Sequence, residues 1–208
     1  MQSGMSGEPV APSVDNELAE EDRLRAQVYQ LLASVLSQPP SSEYLTSVSK
    51  LQGVDTPLGR AVSALARVAA KRDAAAASEE YHNLFIGVGR GELLPFASYY
   101  LTGFLHEKPL ARLRDDMAKL GIVRRDTASE PEDHVASILE VMAGLIDGRF
   151  GSPATLDQQQ EFYEAHVSSW MDIFFRDLAE ASSSVLYAAV GGVGTQFLKV
   201  ETAAFQMD

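Results

Sequence analysis

No stretch of the chain alternates apolar and polar residues as a half-buried strand would, while one stretch carries helix signals from end to end. In Glu130 to Asp147 (EPEDHVASILEVMAGLID), Val135, Ile138, Leu139, Met142, Leu145 and Ile146 recur at the spacing of one helix face. Ser129 and Glu132 have capping-box spacing, Pro131 falls in the first turn, and Gly148 stands where a C-terminal cap belongs. A helix over this stretch is expected to organise the rest. Its first turn carries Glu130, Glu132, Asp133 and His134. Steps of three and four from His134 reach Ile138, Val141 and Leu145, so the ring should border the buried stripe. The same steps from Asp133 reach Ser137 and Glu140, the polar side. A carboxylate and an imidazole are thus expected where a core helix meets solvent.

The other segments read the same way. Residues 1–14 are small, polar and contain Pro and Gly, and are expected to be a flexible tail before a domain over 15–208. A first helix follows Asp15 or Asn16, with Leu24, Val28, Leu31, Leu32, Val35 and Leu36 inward, and ends at Pro39-Pro40. A short helix over 42–51 comes next. One from Thr56-Pro57 runs into the alanines 74–77, and another is capped by Ser78. Periodicity fails from Gly87 to Gly103, a segment dense in aromatics: Phe96, Tyr99 and Tyr100. Pro109 opens a helix that Gly121 stops, and the connection 121–132 is a candidate hinge. A long helix starts near Thr155 and carries Phe162, His166, Trp170, Ile173, Phe174 and Leu178. A last one covers 184–205 and is expected to bend or divide at Gly191, Gly192 and Gly194. The fold class is all-α: a single globular helical domain of roughly eight to ten helices.

Composition narrows the functions. Lys and Arg number 17 against 29 Asp and Glu, a net charge of −12 over 208 residues, which repels nucleic acid and suits a cationic partner. The chain has no cysteine, so disulfides, thiolate metal sites and Cys nucleophiles are excluded. Neither a secretory signal nor an apolar run long enough to span a membrane is present, so a cytoplasmic location is expected.

Several residue groups carry chemistry. Gly87-Val88-Gly89-Arg90-Gly91 lacks the Lys-Ser/Thr pair and the strand of a phosphate loop, and a third dinucleotide glycine is replaced by Glu92. Glu79 and His82 have the spacing of a carboxylate-bridged metal site, but only one copy exists where two are needed. Asp133-His134 reads either as a carboxylate and general base or half of a metal site, or as a capping carboxylate with a partly buried histidine. His166 reads as core packing against Trp170. Phe96, Tyr99, Tyr100, Tyr81 and Phe85 suggest an apolar groove which, rimmed by acids, would suit a basic or amphipathic peptide.

Taken in order, Tyr81-x-x-Leu84-Phe85, Pro95-Phe96-Ala97-Ser98-Tyr99-Tyr100, Glu130-Pro131-Glu132-Asp133-His134 with Leu139-Glu140-x-Met142, and His166-x-x-x-Trp170 resemble the TorD/DmsD/NarJ family of molybdoenzyme assembly chaperones. The likeness covers about Arg23 to the C-terminus. Ala97, where many members carry Glu, and the Gly191–Gly194 run depart from the pattern. The resemblance implies a non-enzymatic, TorD-like all-α protein with no cofactor and no metal. It would bind the twin-arginine signal peptide, the apoprotein, or both, of a molybdopterin oxidoreductase before export or assembly. It also implies that some members form homodimers, including domain-swapped ones. The expected peptide-binding residues are Tyr81, Leu84, Phe85, Pro95, Phe96, Ser98, Tyr100, Glu132, Asp133, His134 and Glu140. Two other readings stay open at this point: a metal- or carboxylate-dependent hydrolase using Asp133 and His134, and a structural adaptor without a peptide groove.

Overall fold

In the computed structural model, residues 18–123 and 130–207 are described. In chain order the α-helices are α1 (Glu20–Ser37), α2 (Ser42–Val48), α3 (Pro57–Ala69), α4 (Ala74–Tyr81), α5 (Ala97–Thr102), α6 (Lys108–Lys119), α7 (Val135–Asp147), α8 (Leu156–His166), α9 (Met171–Glu180) and α10 (Leu186–Phe205). A π-helical turn, His82–Ile86, continues α4. Among the described residues no strand forms; two extended segments meet in a single antiparallel bridge between Phe96 and His134. The tail 1–14, the proposed caps Asp15 and Asn16, and residues 124–129 of the candidate hinge, Ser129 among them, lie outside the described residues.

Most boundaries follow from local chemistry. Ser41, Thr56 and Asp73 each accept a backbone N–H from the first turn of the helix they precede. Thr155 and Gln158 form a reciprocal capping box for α8. Gly121 and Gly148 adopt the left-handed conformation (φ +71° and +76°) that ends α6 and α7. Asp73, rather than Ser78, starts α4, because Lys71 and Arg72 already turn out of α3 and the alanines 74–77 form the new first turn.

Helix α7 lies at the centre. It packs chiefly on α1 and also on α8, and every residue but Ser137, Glu140 and Asp147 is buried. The expected single apolar stripe is thus an apolar girdle, the signature of a core helix. Helix α10 forms the second axis, packed on α9, α3 and α4. It runs unbroken for 20 residues, contrary to the bend expected at its glycines. Gly191 and Gly194 instead let α9 approach: a Cβ at Gly191 would lie 2.6 Å from the Phe175 carbonyl oxygen, and one at Gly194 2.3 Å from the Phe175 ring. The expected helix from Thr155 through Leu178 is interrupted between α8 and α9. There the Trp170 indole N–H donates to the His166 carbonyl at 2.8 Å, taking the acceptor that the Trp170 backbone N–H would use in a continuous helix. The turn rotates Ile173 and leaves it exposed, and Leu24 is exposed as well.

Buried acids stitch distant elements together. Glu201 in α10 is fully buried, accepts two bonds from Arg25 of α1 at 2.8 and 2.9 Å, and accepts the Tyr29 hydroxyl at 2.9 Å. Glu80 accepts the backbone N–H of Val185 and of Tyr187 at 2.6 and 2.8 Å, capping α10, while Arg72 neutralises it at 3.0 Å.

Candidate functional site

The motif around Phe96 and the motif around His134 form one junction. Ala97 donates its N–H to the Asp133 carbonyl (2.9 Å) and Val135 donates to the Pro95 carbonyl (2.8 Å). The Phe96 and His134 rings meet edge to face with centroids 5.2 Å apart. Phe96 stands at the N-cap of α5 and has no oxygen to offer; the Asp133 carboxylate serves instead, accepting the Ser98 N–H at 3.0 Å. His134 caps its own helix, its Nδ1 accepting the Ala136 N–H at 3.2 Å, which assigns the ring proton to Nε2. Burial lowers the His134 pKa to about 4, so the ring is neutral at neutral pH.

This corrects the expectation that the pair stands at the solvent edge. Asp133 is 1% and His134 5% exposed. The reason is that α7 starts at Val135, not in the 130–132 region, so both residues precede the helix and pass beneath the 95–98 segment. Glu132 pairs with Arg114 of α6 at 2.8 Å.

The remaining candidate residues fall into separate clusters. Tyr81 and Phe85 pack edge to face (5.0 Å), each also against Tyr187 of α10. Leu84 beside them is fully buried, and Tyr81 donates its hydroxyl to the Ser37 carbonyl at 3.2 Å. Burial and then the Glu130 carboxylate push the Tyr81 phenol up. Tyr100 packs tilted against Trp170 and edge to face against Phe174, and donates to Asp177 at 3.0 Å. Pro95 and Ser98 are buried; Phe85, Phe96 and Tyr100 are half-buried. Tyr187 and Asp177 were not among the expected residues, because nothing local in the sequence ties them to Tyr81 and Tyr100, which lie 106 and 77 residues earlier.

Glu132 and Glu140 do meet. Together with Glu130 they line a cavity of about 150 Å³ whose apolar wall is made by buried Met117, Ile122 and Val141, with the exposed Phe150 ring at its edge. Arg149 on the same wall is held by Asp147 at 2.6 Å. The aromatic residues expected for a groove do not line this cavity; its one ring is Phe150, which lies past the Gly148 stop and was not among the expected residues. Glu79 and His82 are exposed, and no group of three metal-ligating side chains occurs among the described residues. Nor is any helix among them long and apolar enough to cross a membrane.

The family model described as nitrate reductase delta subunit matches residues 51–176. The chain belongs to that family. The match spans the α4 turn, the Phe96–His134 junction and the Trp170 break, and it bears out the resemblance seen in the ordered motifs. The chain is 27% identical over 209 residues to the chaperone protein TorD of Aliivibrio fischeri, covering 89% of this chain and 96% of that one. It is 25% identical over 203 residues to the TorD chaperone of Vibrio cholerae, covering 88% and 92%. The fold matches a crystal structure described as a redox enzyme maturation protein from Archaeoglobus fulgidus, with a TM-score of 0.55, 18% identity, and coverage of 91% and 99%. These family relatives carry the name of chaperones, not of enzymes.

Proposed function

We propose that the chain is a cytoplasmic, non-enzymatic chaperone for a molybdopterin-containing oxidoreductase. It holds the twin-arginine signal peptide of the client, its apo form, or both, until the cofactor is inserted. The observation that carries this reading is the acid-rimmed apolar cavity formed by Glu130, Glu132 and Glu140 over Met117, Ile122 and Phe150, in a chain that aligns almost end to end with TorD chaperones.

A twin-arginine signal offers two guanidiniums followed by an apolar run. Carboxylates at the rim accept guanidinium N–H bonds, which are charge-assisted and directional. The half-buried rings of Phe85, Phe96 and Tyr100 offer apolar surface for the run. Buried Pro95, Ser98, Asp133 and His134 act as positioning residues: they fix α5 and the start of α7, the helix that carries Glu140, while Leu84 belongs to the buried core. Ordering a peptide offsets much of the gain, so an affinity near micromolar or weaker is expected, which also permits release.

Calorimetric titration with a twin-arginine signal peptide, beside one with both arginines changed to glutamine, tests the reading. Tighter binding of the arginine peptide is expected. Equal binding would remove the acid rim from the mechanism, and no binding of either by the full chain would overturn the proposal.

A further inference from the structure

Two of the chain's own guanidiniums stand at the acid-rimmed cavity, and they are held differently. Arg149, in the cavity wall, is engaged away from the rim acids: its Nη2 is 2.6 Å from the Asp147 carboxylate and its Nη1 donates to Gln30 at 2.8 Å. Arg114 of α6 reaches a rim acid directly, its Nη2 donating to Glu132 Oε2 at 2.8 Å. Its own helix offers it no carboxylate three or four residues away, where Leu110, Ala111, Met117 and Ala118 stand.

The two partners of the Arg114–Glu132 pair differ in freedom. The Glu132 side chain is 11% exposed and its neighbour Asp133 is anchored to α5, the Asp133 carbonyl and carboxylate being bonded to Ala97 and Ser98. The Arg114 side chain is 52% exposed and hangs on a long stem from a helix surface. When the pair opens, Arg114 therefore swings into water while Glu132 keeps its place. For a half-exposed pair this opening is a modest step, on the order of two- to fivefold in population. An incoming arginine makes the same kind of charge-assisted bond that Arg114 gives up, whereas a glutamine brings no charge to replace it.

We propose that Arg114 is a resident stand-in for the client's arginine: it occupies Glu132 in the free protein and is displaced when a guanidinium of the signal peptide takes that carboxylate. The proposal rests on the reading of the cavity as a twin-arginine site and adds an autoinhibitory contact to it. Every ligand that uses Glu132 binds more weakly by the fraction of molecules in which Arg114 has let go. The return of Arg114 to Glu132 favours release of the peptide, which suits a protein that holds a client only until it is complete.

Calorimetry on the full chain, with a twin-arginine peptide and its double-glutamine counterpart, tests this. Arg114→Gln is expected to bind the arginine peptide about two- to fivefold tighter than wild type and the glutamine peptide equally. Arg112→Gln removes the same charge from the same helix, but its partner is Asp116 at 3.8 Å, so its gain should be clearly smaller. In a Glu132→Gln background, adding Arg114→Gln should bring no gain. All variants should keep the helical circular dichroism spectrum. Unchanged or weaker binding of the arginine peptide by Arg114→Gln would overturn the proposal and make Arg114 a brace for Glu132. A gain that Arg112→Gln matches, or that persists without the Glu132 carboxylate, would overturn it in favour of the general field of the chain. These outcomes leave the chaperone reading standing, because the arginine peptide still binds. If neither wild type nor Arg114→Gln binds it, the chaperone reading falls and this inference with it.

Discussion

The Asp133 carboxylate accepts the backbone N–H of Ser98, 35 residues earlier in the chain, at 3.0 Å and so caps α5. The most distinctive acid of the 130–134 segment is thus spent on holding α5 and α7 together. Asp133→Ala leaves a buried N–H without an acceptor, a loss of about 2 kcal/mol. For a chain of this size the melting temperature should drop by roughly 4–8 °C. Asp133→Asn keeps a capping oxygen and should lose less. Peptide affinity measured well below the melting transition should change little in Asp133→Asn; a large loss there without loss of stability would make Asp133 a direct ligand.

His134 gives the fold a pH dependence whose sign is fixed by its burial. Its folded pKa, about 4, lies below the ordinary value of 6.5, so between these values the unfolded chain takes up a proton that the folded chain refuses. Stability is full above about pH 6.5 and falls as pH drops toward 4, by about 3 kcal/mol from this group. His134→Asn retains an N-cap acceptor and removes the titration. Its unfolding free energy, from urea titrations across this window, should show a shallower slope. A residual slope of the same sign is expected from His166, lowered mainly by burial against the pull of Asp116.

The Arg25–Glu201 pair joins the first helix to the last at full burial of the carboxylate. Glu201→Gln leaves the Arg25 guanidinium with Asp22, at 2.8 Å, as its remaining counter-charge and should cost about 1.5–3 kcal/mol. Arg25→Met with Glu201→Gln, which removes both charges and keeps an acceptor for the Tyr29 hydroxyl, should recover part of that loss. Thermal melts of the three variants separate an ion pair needed for stability from one that is merely well satisfied.

Adjacent glycines of α10 should respond in opposite directions. Gly191→Ala forces a methyl against the Phe175 carbonyl oxygen and the Ala179 backbone, so α9 and α10 have to part, at about 2 kcal/mol. Gly192 faces open space, and Gly192→Ala should stabilise by nearly 1 kcal/mol through helix propensity. Denaturant midpoints of the two single variants check both signs.

These contrasts show what was legible in the sequence. Thr56, Gly121, Gly148 and Thr155 act through neighbours within one turn, and the residues they punctuate are where the spacing places them. Glycine spacing in α10 shows weakness of a lone helix but not the neighbour that uses it, so a bend was expected where α9 packs closest. The break at Trp170 depends on an indole reaching back to a carbonyl, a choice of side-chain direction that periodicity does not encode. In the candidate site, Glu132 and Glu140 were legible as rim acids because they sit on or beside one marked helix. The burial of Asp133 under residues 95–98, and Phe150 at the cavity edge, depend on contacts between segments far apart in sequence.

Glu140 offers the most direct test of the central claim, since it is exposed at the rim and lies outside the Asp133 junction. The measurement is a calorimetric cycle: wild type and Glu140→Gln, each titrated with the twin-arginine peptide and with its double-glutamine counterpart. Glu140→Gln should weaken the arginine peptide by about fivefold, near 1 kcal/mol, and leave the glutamine peptide unchanged. Equal effects on the two peptides, or none on either, would contradict recognition of guanidiniums at this rim.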